Sequence, residues 1–211
     1  TLGINAYANA GNANLEPLTS DNIDINLDYY FSDAGLISTA AFYKKMSGLL
    51  SRNVSIIEDP IYGTIELTRP ENLDDGKIYG YELNVQSFFD FLPTFWKQFG
   101  LTFNCTYLQG KSSNKEINTE SSESLKLPNL SKWTYNTAIF FESESITARL
   151  SYNYRSPRIN HYQPTLDNTY TINKTRSRDF LDLSIQYNID KHYTVYTDFR
   201  NILAKPFRNY N

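Results

Sequence analysis

Apolar and polar side chains trade places at every second position in segment after segment of this chain. Between residues 22 and 31, Ile23, Ile25, Leu27, Tyr29 and Phe31 fall on one side and Asp24, Asn26, Asp28 and Tyr30 on the other. Successive side chains of a strand point to opposite faces, so such a segment reads as a strand with one apolar and one polar surface. The pattern returns in residues 77–89, where Tyr79, Tyr81, Leu83, Val85 and Phe89 alternate with Gly80, Glu82, Asn84 and Gln86. It returns again in residues 99–108, where Leu101, Phe103, Cys105 and Tyr107 oppose Thr102, Asn104 and Thr106. Ile146, Ala148, Leu150, Tyr152 and Tyr154 repeat it against Thr147, Arg149, Ser151 and Asn153, and Leu181, Leu183, Ile185, Tyr187 and Ile189 against Asp182, Ser184, Gln186 and Asn188. Residues 36–45 read as a less cleanly patterned strand, and 133–142 and 193–201 as two further strands.

The connections between these strands alternate in length. Ser32-Asp33-Ala34-Gly35, Ser143-Glu144-Ser145 and Asp190-Lys191-His192 are tight turns. Residues 46–75, 111–123 and 156–177 read as long connections, the first holding at most a short strand at 61–68. About eight strands of roughly ten residues each match the length a tilted strand needs to cross a bilayer. No run of residues approaches the roughly 18 apolar positions of a spanning helix.

Composition supports strands. The chain holds 17 Tyr and 13 Phe, an aromatic fraction of 15%, with mean hydropathy between that of a disordered and that of a helical membrane chain. Aromatics crowd the short-turn end at 29–31, 88–99, Phe140, Phe141, Tyr187 and Tyr193, while Tyr107, Tyr152 and Tyr154 lie at the other end of their strands. Two such belts are expected of a membrane barrel, whose apolar face meets lipid and whose polar face lines the lumen. A net charge of -3 argues against nucleic acid. The single Cys105 forms no internal disulfide. The first residues lack the features of a secretory signal, so any export signal is expected outside this sequence.

Several segments resemble TonB-dependent outer-membrane receptors. Gly11-Asn12-Ala13-Asn14-Leu15-Glu16-Pro17, followed by Ser20-Asp21-Asn22, is similar to the family's Asn-Pro-x-Leu-x-Pro-Glu segment, with Ala13 where Pro is usual and Leu18 where Glu is usual. Ala41-Phe42-Tyr43-Lys44-Lys45, Gly80-Tyr81-Glu82-Leu83, the Leu150–Ser156 stretch and Arg200-Asn201-Ile202-Leu203 resemble later strands in family order. The resemblance implies an all-β, antiparallel up-and-down transmembrane β-barrel segment of about eight strands, part of a barrel of about 22 strands. Residues 1–211 are then expected to be one partial barrel domain, with the plug domain and the TonB-engaging segment outside this sequence. The implied function is active uptake of a scarce ligand, such as a siderophore, cobalamin or an oligosaccharide, across the outer membrane of a Gram-negative bacterium. Implied partners are membrane lipid, the protein's own plug, the TonB complex and that small-molecule or oligosaccharide ligand. No cofactor is implied.

Candidates for ligand contact lie in two long connections, one bearing Tyr62 and Arg69, the other Arg158, His161, Tyr162 and Tyr170. An ordinary solvated loop has the same polar composition, so these are candidates only. Glu82 and Asp182 fall on lumen positions, where solvation or pairing with Arg149, Arg155 or Arg200 is expected. Two other classes stand beside the receptor. A small structural or passive outer-membrane barrel complete in these residues would close with about eight strands, an even number. A soluble β-rich enzyme would need a covering layer for its apolar faces and positioned catalytic groups; His161 and His192 stand apart from any metal-ligand or nucleophile motif, which argues against catalysis.

Overall fold

The computed structural model describes all residues except 1–3, 5, 33, 74, 113–124, 165–169, 207–208 and 211. The turn residue Asp33 and most of the polar loop at 111–123 therefore lie outside the described residues.

Among the described residues fifteen strands carry almost all the regular structure: β1 (Ala6–Asn9), β2 (Thr19–Ser32), β3 (Gly35–Ser47), β4 (Leu49–Asp59), β5 (Gly63–Leu73), β6 (Gly76–Phe88), β7 (Phe99–Ser112), β8 (Leu125–Lys126), β9 (Trp133–Glu142), β10 (Ile146–Arg155), β11 (Arg158–Pro164), β12 (Tyr170–Thr175), β13 (Arg178–Asn188), β14 (Thr194–Phe199) and β15 (Asn209–Tyr210). The main sheet runs β14-β13-β10-β9-β7-β6-β3-β2, with β8 added to β7. All its pairings are antiparallel and follow chain order, as in an up-and-down wall. The sheet is open, with β2 and β14 as its edges. One 3-10 turn, Thr94–Gln98, lies in the aromatic link between β6 and β7. No helix among the described residues is long and apolar enough to cross a membrane.

Two of the three expected long connections contain strands. Residues 46–75 form β4 and β5, joined by a turn at 60–62. Their pairing continues the register of β3 and β6: Met46 opposes Gly76, and across the break Leu49 opposes Leu73. One hairpin therefore runs unbroken in register from Leu36 opposite Gln86 to Asp59 opposite Gly63. Residues 156–177 behave alike: Arg155 opposes Arg178 in the main sheet and Arg158 opposes Thr175 beyond it. Register there shifts once, between Ile159 and His161. The expected short strand at 61–68 begins instead at Gly63, because Asp59 Oδ1 accepts the backbone N–H of Ile61 and of Tyr62 and holds both in the turn.

Side chains sort by parity. Asn84, Gln86, Thr102, Asn104, Asn136, Arg149 and Ser151 line a cavity of about 230 Å³, and Arg149 on β10 reaches past β9 to Thr102 on β7, so side chains converge on the polar face, the concave one. The convex face shows Ile23, Ile25, Leu27, Tyr29, Tyr81, Leu83, Ile139, Leu150 and Ile185, all exposed. Among the described residues only Ile65, Leu127 and Ala138 are buried apolar side chains. A water-soluble sheet of this size hides its apolar face under a second layer; this one presents it.

Aromatic rings mark both ends of the convex face. Phe99 packs on Phe141 (5.0 Å) and Phe95 (5.4 Å) at the short-turn end. Tyr107 packs on Trp133 (4.7 Å), and Tyr135 on Tyr154 (4.6 Å), at the long-hairpin end. From Phe99 to Tyr107 is roughly 26 Å along the strand, the scale of a bilayer's apolar band once tilt is included. Phe140, expected in the short-turn belt, faces the concave side instead. It meets Phe88 edge-on at 5.0 Å, above Gly100, which lies between them in the register. A Cβ on Gly100 would meet Phe140 Cζ at 2.2 Å. Gly100→Val is expected to destabilise the β7–β9 pairing by about 1–3 kcal/mol through overpacking, measured as a lower unfolding midpoint of the full-length protein in detergent; an unchanged midpoint would show that Phe140 has room to move.

Candidate functional site

The concave face carries the polar chemistry. Four asparagines stand directly opposite one another on neighbouring strands: Asn84 on β6, Asn104 on β7, Asn136 on β9 and Asn153 on β10. Each amide both donates and accepts, so such a row can link side to side while still offering groups to the lumen. Asn104 Nδ2 donates to Asn84 Oδ1. Nearer the short turns, Arg149 reaches across β9 to Thr102 Oγ1 at 3.4 Å, and its guanidinium lies 6.0 Å from the Phe140 ring centre.

Towards the long hairpins the row opens into a second cavity of about 260 Å³, lined by Asn136 and Asn153 together with Arg155, Arg158, Arg176 and Arg178. Among the described residues the other lining side chains are Thr134, Tyr154, Ser156, Thr175 and Phe180. Arg155 Nε donates to Ser131 Oγ at 3.1 Å, and the Arg178 guanidinium stacks 4.1 Å over Phe180. Arg158 Nε is buried with no hydrogen-bond acceptor among the described residues. Guanidinium groups arranged in this way offer planar forks to carboxylate, phosphate or other oxyanions.

Of the residues expected to contact ligand whose side chains are described, Arg158 lines this cavity. Tyr162, on the same hairpin, donates its hydroxyl to the Lys126 carbonyl at 3.0 Å, tying β11 to β8. Burial pushes the Tyr162 hydroxyl pKa up. His161 opposes Asn173 and Tyr170 opposes Pro164 in the backbone register of that hairpin; their side chains lie outside the described residues. The register shift leaves Asn160 unopposed, and its side chain is held by Asn173 (2.6 Å) and Thr175 (2.8 Å). Tyr62 and Arg69 fall on a different sheet, β1-β5-β4. Tyr62 is exposed at the hairpin tip. Arg69 Nε is paired with Glu71 Oε1 at 2.5 Å, and Asn53 donates to the other Glu71 oxygen at 2.7 Å.

Of the two lumen acids, Asp182 is held by the backbone and not by an arginine. Asp182 Oδ1 accepts the backbone N–H of Asn201 at 2.7 Å, and Arg200 lies 3.9 Å from Asp198. Among the described residues Glu82 forms no ion pair with Arg149, Arg155 or Arg200. No group of three or more His, Cys, Asp or Glu side chains among the described residues could hold a metal ion.

The base of the long hairpins is fastened by Asn72. Its Oδ1 accepts the Glu16 N–H (2.7 Å), and its Nδ2 donates to the carbonyls of Glu16 (2.9 Å) and Gly48 (3.0 Å). The segment entering β2 is thereby pinned where β3 passes into β4. Gly48, at φ +76°, brings its Cα so close to Pro17 that a Cβ would stand 2.7 Å from the Pro17 carbonyl oxygen.

Sequence reasoning missed Arg155, Arg176 and Arg178 as members of one cluster. The signal was present: Arg155 and Arg158 flank one foot of the 156–177 segment, Arg176 and Arg178 the other. Only a hairpin register that joins the two feet turns them into one site.

A family profile described as TonB dependent receptor-like, beta-barrel matches residues 2–202. No curated protein sequence matches the chain. Among solved structures, a point mutant of the ferric enterobactin receptor PfeA from Pseudomonas aeruginosa, in complex with enterobactin, superposes with a TM-score of 0.69 at 15% identity. That likeness covers 93% of this chain and 28% of the receptor. The siderophore receptor PirA from Acinetobacter baumannii gives 0.64 at 14% identity, covering 93% and 29%. The copper transporter OprC gives 0.66 at 16% identity, covering 93% and 27%. At such identities the likeness is one of fold, and the chain spans less than a third of those structures' length.

The asparagine and arginine bonds to Glu71 hold its carboxyl below the usual carboxylate range, Asn53 contributing most and Arg69 next. A lowered folded pKa contributes stability that is complete above the unfolded value of about 4.3 and is lost as pH falls through the folded one. Cleavage of the β4–β5 tip by an acid-active protease is therefore expected to stay slow to about pH 4 and to quicken below. In Glu71→Gln that pH step should disappear; a step of equal size in the variant would assign it elsewhere.

Proposed function

Since the chain belongs to the TonB-dependent receptor-like β-barrel family, we propose that residues 1–211 form one stretch of the wall of an outer-membrane receptor that takes up a scarce ligand with energy from TonB. The observation that carries this reading is the sorting of the sheet's faces: exposed Ile, Leu and Tyr outside, amides and guanidiniums inside. That arrangement suits lipid on the convex side and a hydrated lumen, occupied by a plug, on the concave side. The short turns then face the periplasm and the β4–β5 and β11–β12 hairpins stand outside the cell.

In this reading the ligand passes the arginine-lined cavity, and its chemistry is that of a small anion or anionic chelate. A negative ligand fits four converging guanidiniums far better than a neutral oligosaccharide would, because oxyanions repay the desolvation of arginine with paired, charge-assisted bonds. The PfeA and PirA likenesses are to receptors for siderophores, which supports the same class. Arg158 would act at this mouth, and His161, Tyr162 and Tyr170 would act as contacts further out along the same hairpin. Tyr62 would act as a separate outer contact, while Arg69 serves the hairpin through Glu71. A small barrel complete in itself is disfavoured by the open sheet edges at β2 and β14.

Orientation is tested by cysteines introduced one at a time into the full-length protein carrying Cys105→Ser, on intact cells. Tyr62→Cys is expected to react with a membrane-impermeant maleimide and Tyr193→Cys to react only after the outer membrane is permeabilised; the opposite pattern would invert the topology and end this reading. Uptake is tested with radiolabelled ferric enterobactin. Arg158→Ala with Arg178→Ala is expected to weaken binding by roughly 100-fold or more, since charge-assisted bonds contribute about 1.5–3 kcal/mol each. Equal binding by wild type and the double variant would exclude the arginine cavity from the ligand's path.

A further inference from the structure

The convex face carries one feature that neither its apolar surface nor the lumen explains. Lys45 opposes Lys77, Lys77 opposes Lys111 and Lys111 opposes Lys126, placing four lysines in one register row across β3, β6, β7 and β8. All four are exposed. Three strand spacings make the row roughly 14 Å long. It lies two residues beyond Tyr43 and Tyr79, immediately past the aromatic belt on the long-hairpin side. Lys132 adds a further ammonium there, 5.4 Å from the centre of the Tyr107 ring.

Like charges directly opposite on neighbouring strands destabilise a sheet. In a chain of net charge -3, such a row is not explained by general basicity. Its end nearest β2 has acidic company: Asp75 is 3.9 Å from Lys45, and Asp21 opposes Lys45 in the register. Among the described residues Lys77, Lys111 and Lys126 take part in no ion pair. Below the row runs an open groove of about 510 Å³, bounded by Ile23, Ile25, Tyr43, Tyr79, Lys77 and Lys111. Apolar walls under a basic rim match an amphiphile with chains below and negative charge above.

We infer that the row Lys45, Lys77, Lys111 and Lys126 binds the phosphate groups of an anionic lipid in the outer leaflet, its acyl chains lying against the tyrosine-lined groove beneath. This rests on the membrane orientation proposed above, which puts the long-hairpin end at the cell surface. Lysine suits the task because a point charge on a flexible stem can follow a phosphate that moves with its lipid. The bound lipid supplies the counter-charge that the sheet lacks, and it anchors the wall at the height where the aromatic belt meets the headgroups.

The test uses the full-length protein, purified in a non-ionic detergent and titrated with diphosphoryl lipid A while bound lipid is counted by native mass spectrometry. Each lysine near an anionic surface contributes about fivefold, so Lys77→Gln with Lys111→Gln is expected to weaken binding roughly 25-fold. Lys97→Gln with Lys191→Gln removes the same charge at the short-turn end and is expected to leave binding unchanged. Dephosphorylated lipid A, which leaves all four lysines without a phosphate, is expected to bind the wild type more weakly than diphosphoryl lipid A binds the double variant. The inference is overturned if dephosphorylated lipid binds equally well, if the Lys97/Lys191 variant loses as much, or if inorganic phosphate at matched concentration displaces the lipid. Folding of each variant is checked by its heat-dependent gel migration. If Tyr62→Cys labels from outside but the lysine variant keeps its lipid, this inference fails and the receptor reading stands; if the wild type does not insert into membranes, both fail.

Discussion

In an apolar medium a backbone N–H or C=O without a partner costs several kcal/mol, and no water is at hand to relieve it. The main sheet meets that demand by pairing each strand with its chain neighbour, from β2 through to β14. The same demand explains why the two long hairpins keep the register of the strands below them. A ladder that starts at Leu36 opposite Gln86 has no reason to break at the point where it leaves the apolar band. Extending it adds hydrogen bonds without a new turn, and the alternative, a long irregular loop, would need its own packing to hold any shape. The asparagine side chain of Asn72 belongs to this logic, since it satisfies three backbone groups at the place where the entering segment and two strands meet.

How much of this was legible follows from what each strand faces. Where one side meets an apolar medium and the other an aqueous lumen, composition must alternate, and β2, β6, β7, β10 and β13 were readable from parity alone. Beyond the aromatic belt both sides meet water, so the two faces need not differ. β4 reads Leu-Leu-Ser-Arg-Asn-Val-Ser-Ile-Ile-Glu-Asp and β11 reads Arg-Ile-Asn-His-Tyr-Gln-Pro, with little period of two in either. β5 even contains Pro70, a residue that usually demotes a strand. Nothing in one strand's composition shows that its partner continues alongside; that information lies in the spacing of two strands about a common turn.

The candidate site was legible only in fragments for the same reason. Arg158 stood out as a loop arginine, but the cavity needs Arg155, Arg176 and Arg178 from the other positions that the register brings level with it. The asparagine row draws one residue from each of four strands, spread from position 84 to position 153, so no local motif contains it. Phe140 was misplaced because two adjacent aromatics, Phe140 and Phe141, necessarily face opposite sides of a strand, and only Phe141 can join the outer belt. A cluster of aromatics in sequence is thus split by the pleat into two separate functions.

Parity also means that inside and outside are specified together. Lys77 and Glu82 lie on the same strand, one on the convex face and one on the concave, and each is set by the single register that β6 keeps with β3 and β7. A slip of one residue would carry Lys77 into the lumen, Glu82 towards lipid and Tyr81 away from Tyr107. The cost of that slip is therefore paid on both faces at once, by a charge brought into contact with apolar surroundings and by aromatic rings removed from the belt. Register in this wall is held by the difference between its two solvents more than by any single contact, and the sites on either face are consequences of the same choice.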